Sequence, residues 1–594
     1  MIEKYFFEEL QYLREAGREF AQAYPERARY LNLEDIDDRD PYVERLFEGF
    51  AFLTGKIRQK LDDELPELTH ALLGLLWPHF LRPVPSLAIL EFQPKTGAVQ
   101  GKQVIPRDTL IDSVPVQNGV SCRFRTCYAV DVRPISLESL NLGPTTDGNS
   151  ALRLRFKTEG PIAVAALGFD TPLRLFIHDL DAPTMHALHL FLTRHVRRVS
   201  FKVNTHRSET VTLHGQEWVQ PSGFEQKDGL LPYTDYAFPG YRLLQEYFTY
   251  RDKFAFIELR GLNRMAASAE IEAFDVEIHF NRRFPEARRV ETQNLRLHCT
   301  PIINVFQRDA EPIRVDYLNA EYRVIASVRH PADGIEVYAV DEVEGIKTGT
   351  GARSVYTPFY AFRHSLKEKG SGYYHTSIRP RIVKHESHGT GFGGFETYIS
   401  IVEPNTRVAE LVGETLSLKV TCTNRMLPRR ELGVGDICYP TPDVPEFVTF
   451  RNLTRPTAPV YPPLERRFEW NLISHLALNY LSLQNVDALQ GLLSLYNWSQ
   501  AESNRRRILG VRDVRFTPEE LVHRGAVIRG IHVTLEVNRE NFENGEGDLH
   551  LFGWVLSEFL GLYTSINTFT RLTVECPSGE RFEWPPTTGK SLPV

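Results

Sequence analysis

WPHFLRPVPSLAILEF, residues 77–92, is the stretch in which the chain changes its period. Before it, large apolar residues recur every third or fourth position, the repeat of a helix face. After it they recur every second position, the repeat of a strand. Pro78, Pro83 and Pro85 mark the break, because proline lacks the N–H that a helix interior needs. The run LAILEF that follows has strand length. The chain therefore reads as multi-domain α+β, a helical segment leading into a β-rich body.

Upstream, Phe6, Leu10, Leu13, Gly17, Phe20 and Tyr24 follow one another at spacings of 4, 3, 4, 3 and 4, which places them on one helix face. Asp40 can cap a second helix with Pro41 in its first position, where a missing N–H costs nothing. Val43, Leu46, Phe50, Leu53, Ile57 and Leu61 form its stripe. Pro66 can open a third helix carrying Leu68, Leu72, Leu75 and Leu76. The spacing averages about 3.5 residues, as in coiled-coil seams. Burying a large apolar side chain gains roughly 1.5–3 kcal/mol, so such stripes require cover. Two covers are open: the segment seals its own faces as a three-helix unit, or partner chains complete the bundle.

Downstream to about residue 460 the pattern is strand-like, as in ALRLRF (151–156), FDVEIHF (274–280) and TLSLKVT (415–421). Asp147-Gly148-Asn149 reads as a turn, and Pro183–Arg194 as one helix among the strands. A boundary is expected near Cys299–Val305, giving two β-rich domains, 86–295 and 296–460, after the helical segment 1–85. Gly345–Gly394 is rich in Gly, Ser and Thr. Prolines 440, 442, 445, 456, 459, 462 and 463 are expected to form a stiff linker. It leads to a C-terminal α/β domain, 461–594. There Phe468, Leu472, Leu476 and Leu483, then Leu489, Leu492, Leu493 and Tyr496, suggest two helices. A strand IHVTLEV, an amphipathic helix from Leu549 to Tyr563 and a strand pair RLTVEC/ERFEW follow.

A chain of 594 residues exceeds a single core and suggests three to five units. Its net charge of −7 offers no excess to neutralise phosphates, so nucleic acid is not an expected partner. Glu3, Lys4, Glu8 and Glu9 interrupt any secretory signal, and no apolar run reaches the roughly 20 residues of a bilayer span. Six cysteines without a CxxC pair fit reduced thiols in the cytoplasm rather than disulfides or a zinc knuckle. No cofactor, metal site or catalytic residue is expected.

Local motifs support that. His385-Glu386-Ser387-His388 places its histidines three apart, one short of the zinc-protease spacing, in what reads as a loop. Gly389-Thr390-Gly391-Phe392-Gly393-Gly394 spells a dinucleotide fingerprint but precedes a strand instead of a helix, so it reads as a mobile or partner-contacting loop. Gly589-Lys590-Ser591 lacks the earlier glycine of a phosphate loop and the helix after it. Arg505-Arg506-Arg507, with Arg512 and Arg515, reads as a solvated or partner-facing basic patch.

Several blocks resemble the TssF family of type VI secretion baseplate subunits, also called VasA or ImpG. They are YFFEELQYLR (5–14), Glu19-Phe20-Ala21, Tyr24-Pro25, DPYVERL (40–46), EGFAFL (48–53), DDELP (62–66), and Pro78-His79 with RPVPS (82–86). The resemblance returns at CTPIINVF (299–306), at Leu551-Phe552-Gly553 through Phe559 and at YTSINTF (563–569). Phe6-Phe7 stands where a tyrosine-containing pair is expected.

The resemblance implies a fold similar to the wedge protein of contractile phage baseplates. Its implied role is structural: two copies join one TssG, with TssE and TssK, as a wedge around the spike and hub, nucleating the sheath. It implies a cytoplasmic location, docked at the inner membrane through partners, without insertion. It favours the shared bundle, with Leu10, Leu13, Phe20, Leu46, Phe50, Leu53 and Ile57 facing partner chains, so charges at Leu13 and Phe50 should abolish binding to TssG. The C-terminal unit is then the expected contact between copies, and its deletion from about residue 465 should spare TssG. A wedge protein of another contractile particle is the alternative in the same class. A β-rich carbohydrate-acting hydrolase, which would need a deep pocket with perturbed acids, is the alternative in another.

Overall fold

A computed structural model describes the chain except residues 1, 29–40, 63–71, 75–76, 117–118, 204–208, 234–237, 267–269, 317, 329–333, 348–350, 360–371, 386–388, 403–413, 464–471, 473–484, 524, 565–567 and 590–594. Two units separate by their internal contacts: Met1–Leu81 with Pro463–Ala477, and Arg82–Pro462 with Leu478–Val594.

In the first unit α1 (Ile2–Ala23) packs against α2 (Pro41–Asp62), with a one-turn helix, Pro25–Ala28, between them. Besides Glu9, the described residues they bury are Leu10, Gly17 and Ala21 from α1, and Ala51 and Gly55 from α2. Small side chains at four of these five places let two helix backbones approach closely. The Arg14 guanidinium hydrogen-bonds to the Glu44 carboxylate between the two helices. Of the third expected helix, residues 72–74 are helical with Leu73 buried. Leu68, Leu75 and Leu76 lie outside the described residues.

The second unit is built on sheets. Its first has six strands in the order Tyr439–Pro440, Leu110–Pro115, Ser121–Thr126, Cys299–Ile303, Leu87–Pro94, Val448–Asn452. The expected boundary at Cys299–Val305 is thus a central strand, with Leu87–Pro94 on one side and Ser121–Thr126 on the other. Two neighbouring strands supply the hydrogen bonds that a linker would have left to water. Leu90, Phe92, Ile111, Phe124, Ile302, Ile437 and Phe450 share one core, which joins segments far apart in sequence.

The expected Pro-rich linker is part of the same construction. Tyr439–Pro440 and Val448–Asn452 are the sheet's two edges, and Val460 bridges Val84. Edge positions tolerate proline because the lost donor faces outward.

A five-stranded sheet runs Glu209–His214, Val196–Val203, Glu270–Phe280, Ser150–Ala163, Ile135–Pro144. The expected turn sits between the last two of these strands, with Gly148 at a φ of 81°. A four-stranded sheet contains Leu173–Ile177 and Phe256–Leu259. The expected inserted helix is α3 (Ala182–Arg194), capped by the Asp181 carboxylate, which accepts the Thr184 N–H at 3.1 Å. A further helix, α4 (Pro239–Thr249), follows.

An eight-stranded sheet has its own core of Val315, Val343, Tyr356, Ile399, Leu416 and Leu418. It holds a long hairpin, Gly372–His385 with Gly389–Val402.

At the C-terminal end come α5 (Val486–Leu495) and α6 (Glu502–Leu509), then the paired strands Val511–His523 and Ala526–Val537. Helix α7 (Glu546–Leu562) crosses from Ala526–Val537 to the parallel strand Thr568–Glu575, which pairs antiparallel with Arg581–Glu583. Helix α7 was expected to be amphipathic but is buried on nearly all sides, because α3, α4 and Thr568–Glu575 all pack on it.

Candidate partner-binding face

On α2 the buried positions Ala51 and Gly55 lie one turn apart and define the inward side. The stripe Leu46, Phe50, Leu53 and Ile57 is not there. At 3.6 residues per turn it occupies a sector of roughly 60°, turned by roughly 150° from that inward side. These four side chains are 60%, 56%, 56% and 54% exposed. Each forgoes on the order of 1 kcal/mol while it stays wet. Gly49 stands beside the stripe, and a Cβ there would meet nothing within 4 Å. Small residues made the α1–α2 contact, and large ones were left outside.

The other expected interface residues divide. Phe20 is exposed, and its ring lies 5.3 Å from that of Tyr24. Leu13 is half-buried. Leu10 is a correction: it is buried within the chain, on the packed side of α1, and does not face outward. Tyr42 and Phe52 enlarge the apolar surface of α2. Tyr42 continues the stripe four residues before Leu46 and was passed over in favour of Val43, whereas Phe52 falls off the stripe's period, although DPYVERL and EGFAFL contain both.

The motifs lie elsewhere. His385 ends a strand instead of standing in a loop, and 386–388 fall outside the described residues. Gly389–Gly394 begins the partner strand of that hairpin, also not a loop, with no helix after it. Gly589 donates its N–H to the Thr568 carbonyl; Lys590 and Ser591 lie outside the described residues. Among the described residues no group of three or more His, Cys, Asp or Glu is placed to hold a metal ion.

The expected basic patch is a correction in part. Arg507 is buried and makes a forked pair with Asp548, Nε at 3.0 Å and Nη2 at 2.6 Å. Arg506 bonds Glu543 at 2.6 Å. Helical spacing turns Arg507 inward onto α7, where a carboxylate waits.

Sheets with cores of their own in the second unit, and in the first a helix with an exposed apolar stripe, give the chain the character of a structural component rather than of a catalytic pocket. The pattern of the family described as "Type VI secretion system, TssF" matches residues 1–591. A Pseudomonas aeruginosa protein described as type VI secretion system component TssF1 is 31% identical, over 98% of this chain and 97% of its own length. A chain of the TssK-TssF-TssG baseplate subcomplex solved by cryo-electron microscopy is similar at 34% identity and a TM-score of 0.77, over 93% of this chain and all of its own. A chain of a solved type VI baseplate complex is similar at 32% identity and a TM-score of 0.66, over the whole of both. This chain belongs to the TssF family of type VI secretion baseplate components.

Proposed function

We propose that the chain is the wedge subunit of a type VI baseplate and that the outward face of α2 seats it on TssG. The observation that carries this is the exposed stripe Leu46, Phe50, Leu53 and Ile57, set opposite the side by which α2 packs on α1. A solved relative sits in a complex described by TssK, TssF and TssG, which supports those two partners. On the same reading a second copy, TssE and the spike and hub complete the wedge, which docks at the inner membrane through other proteins. Among the described residues no helix is long and apolar enough to cross a membrane.

The test is co-expression with TssG and TssK and purification through TssG. Leu13 is half-buried, so a charge there confounds binding with folding. Phe50→Glu with Ile57→Glu is the cleaner pair, because surface substitutions change stability by only about 0.5 kcal/mol. The expected result is a folded double variant that no longer co-purifies. An intact complex from that variant sinks the assignment. For contact between copies, the end of the hairpin 511–537, where Val522 and Val527 are exposed, is the candidate within 461–594. Val522→Lys with Val527→Lys should reduce the copy number seen by native mass measurement and spare TssG. Unchanged copy number argues against it.

A further inference from the structure

Helices α1 and α2 are long, and little holds them together. Of the apolar positions they bury among the described residues, Leu10 alone has a large side chain; the others are Gly17, Ala21, Ala51 and Gly55. Phe6, Leu13 and Phe47 are half-buried. Helix α7 of the second unit makes the contrast, with Leu549, Phe552, Val555, Leu556 and Phe559 all buried along its 17 residues. An isolated helix is marginal in water, and an apolar face packed on a neighbour supplies most of its stability. By that measure α7 is anchored and the α1–α2 pair is not.

The polar ties are weak as well. The Arg14–Glu44 pair that joins α1 to α2 has side chains 40% and 25% exposed, and ion pairs so open to water contribute little. Gln11 with Glu15 and Arg45 with Glu48 are exposed pairs inside one helix each. Glycine stands within both helices, at 17, 49 and 55, and only proline is costlier there. Leu46, Phe50, Leu53 and Ile57 meanwhile stay in water, and covering them would add the large apolar burial that the pair lacks.

We propose that α1 and α2 open together as a local unit in the free chain, while the second unit stays folded, and that the partner covering the α2 stripe locks them closed. The inference rests on the reading of that stripe as the seat on TssG. Binding and the lasting order of α1 and α2 are then one coupled step, because a partner that meets only the closed pair shifts its equilibrium towards closure.

Hydrogen exchange read by mass spectrometry on the full chain, free and in complex with TssG and TssK, is the test. In the free chain, amides of residues 10–21 and 45–57 should exchange at least 100-fold faster than those of 551–560 in α7. In the complex they should slow by at least 100-fold, with 551–560 changed less than threefold. Gly49→Ala in the free chain localises the opening. Its added Cβ meets nothing within 4 Å, and alanine is the better helix former. Exchange of 45–57 should therefore slow by about two- to fivefold while 551–560 stays as it was. Exchange of 10–21 and 45–57 as slow as that of α7 in the free chain overturns the proposal and leaves the seat on TssG standing. So does an equal slowing of α7 by Gly49→Ala, which would make the helices part of one global unfolding. Fast exchange that persists in an intact complex overturns the seat on TssG too, since no neighbour then covers the stripe.

Discussion

Arg507 and Asp548 form a buried ion pair in the described C-terminal part. Their side chains are 2% and 0% exposed, so neither charge has water to fall back on. Removing one partner strands the other, at a cost of about 3–5 kcal/mol. Asp548→Ala should lower the unfolding free energy by that much in a urea titration. Arg515→Ala, which breaks an exposed pair with Asp513, should cost less than about 1 kcal/mol.

The neighbouring histidines fix the direction of the pH response. Burial pushes His186 down to about 4, against the opposite pull of Asp548, and pushes His189 down to about 3. Both are neutral in the folded chain, while unfolded histidines take up protons below about pH 6.5. Their contribution is therefore complete above that value and is lost as the pH falls towards 4. His189→Met removes one such group. Relative to wild type, this variant should gain about 2 kcal/mol between pH 7 and pH 5, read from denaturation at each pH. A constant difference would contradict the assignment.

At the scale of elements, α2 is a helix with its small residues inward and its large ones outward. A chain folding for itself alone would do the reverse, since cores gain from large side chains. Gly49 adds to this: it is exposed in mid-helix with open space where a Cβ would go. Gly49→Ala should stabilise the free chain by about 0.5–1 kcal/mol, because glycine is the costlier helix residue. If a partner helix approaches closely at that point, the same change weakens the complex with TssG. Stabilisation of the free chain with no loss of complex would show that the glycine serves no contact.

At the scale of the molecule, the C-terminal part is not a detachable module. Helix α7 packs on α3 and α4, and Tyr241 of α4 bonds Tyr563 through their hydroxyls at 2.7 Å. The Asn504 amide donates to the Phe248 carbonyl at 2.9 Å. Deleting residues from about 465 would uncover Tyr241 and Tyr247, whose rings meet those of Tyr496, Phe559 and Phe552, so the truncated chain should be recovered as aggregate rather than as a TssG-binding fragment. Limited proteolysis gives the complementary test. No early cut is expected within 439–460, where the backbone is paired at both edges of the first sheet. A rapid cut there would restore the linker.

What the sequence determined by itself rests on local physics. The stripe on α2, the turn at Gly148, the helix at α3 and the strand pair ending at Arg581–Glu583 follow from side-chain period and backbone preference. Both act over a few residues and can be read from a few. The family was legible as well, because its blocks survive as runs of letters. Only the tertiary structure decided which face of α1 and α2 is buried, since period fixes that residues share a side and not what lies opposite. It alone turned Cys299–Ile303 from a boundary into a central strand and Tyr439–Pro440 and Val448–Asn452 of the expected linker into sheet edges, because their partners stand far away in the chain. Arg507 was drawn from a basic patch into the interior for the same reason: its carboxylate is 41 positions further on.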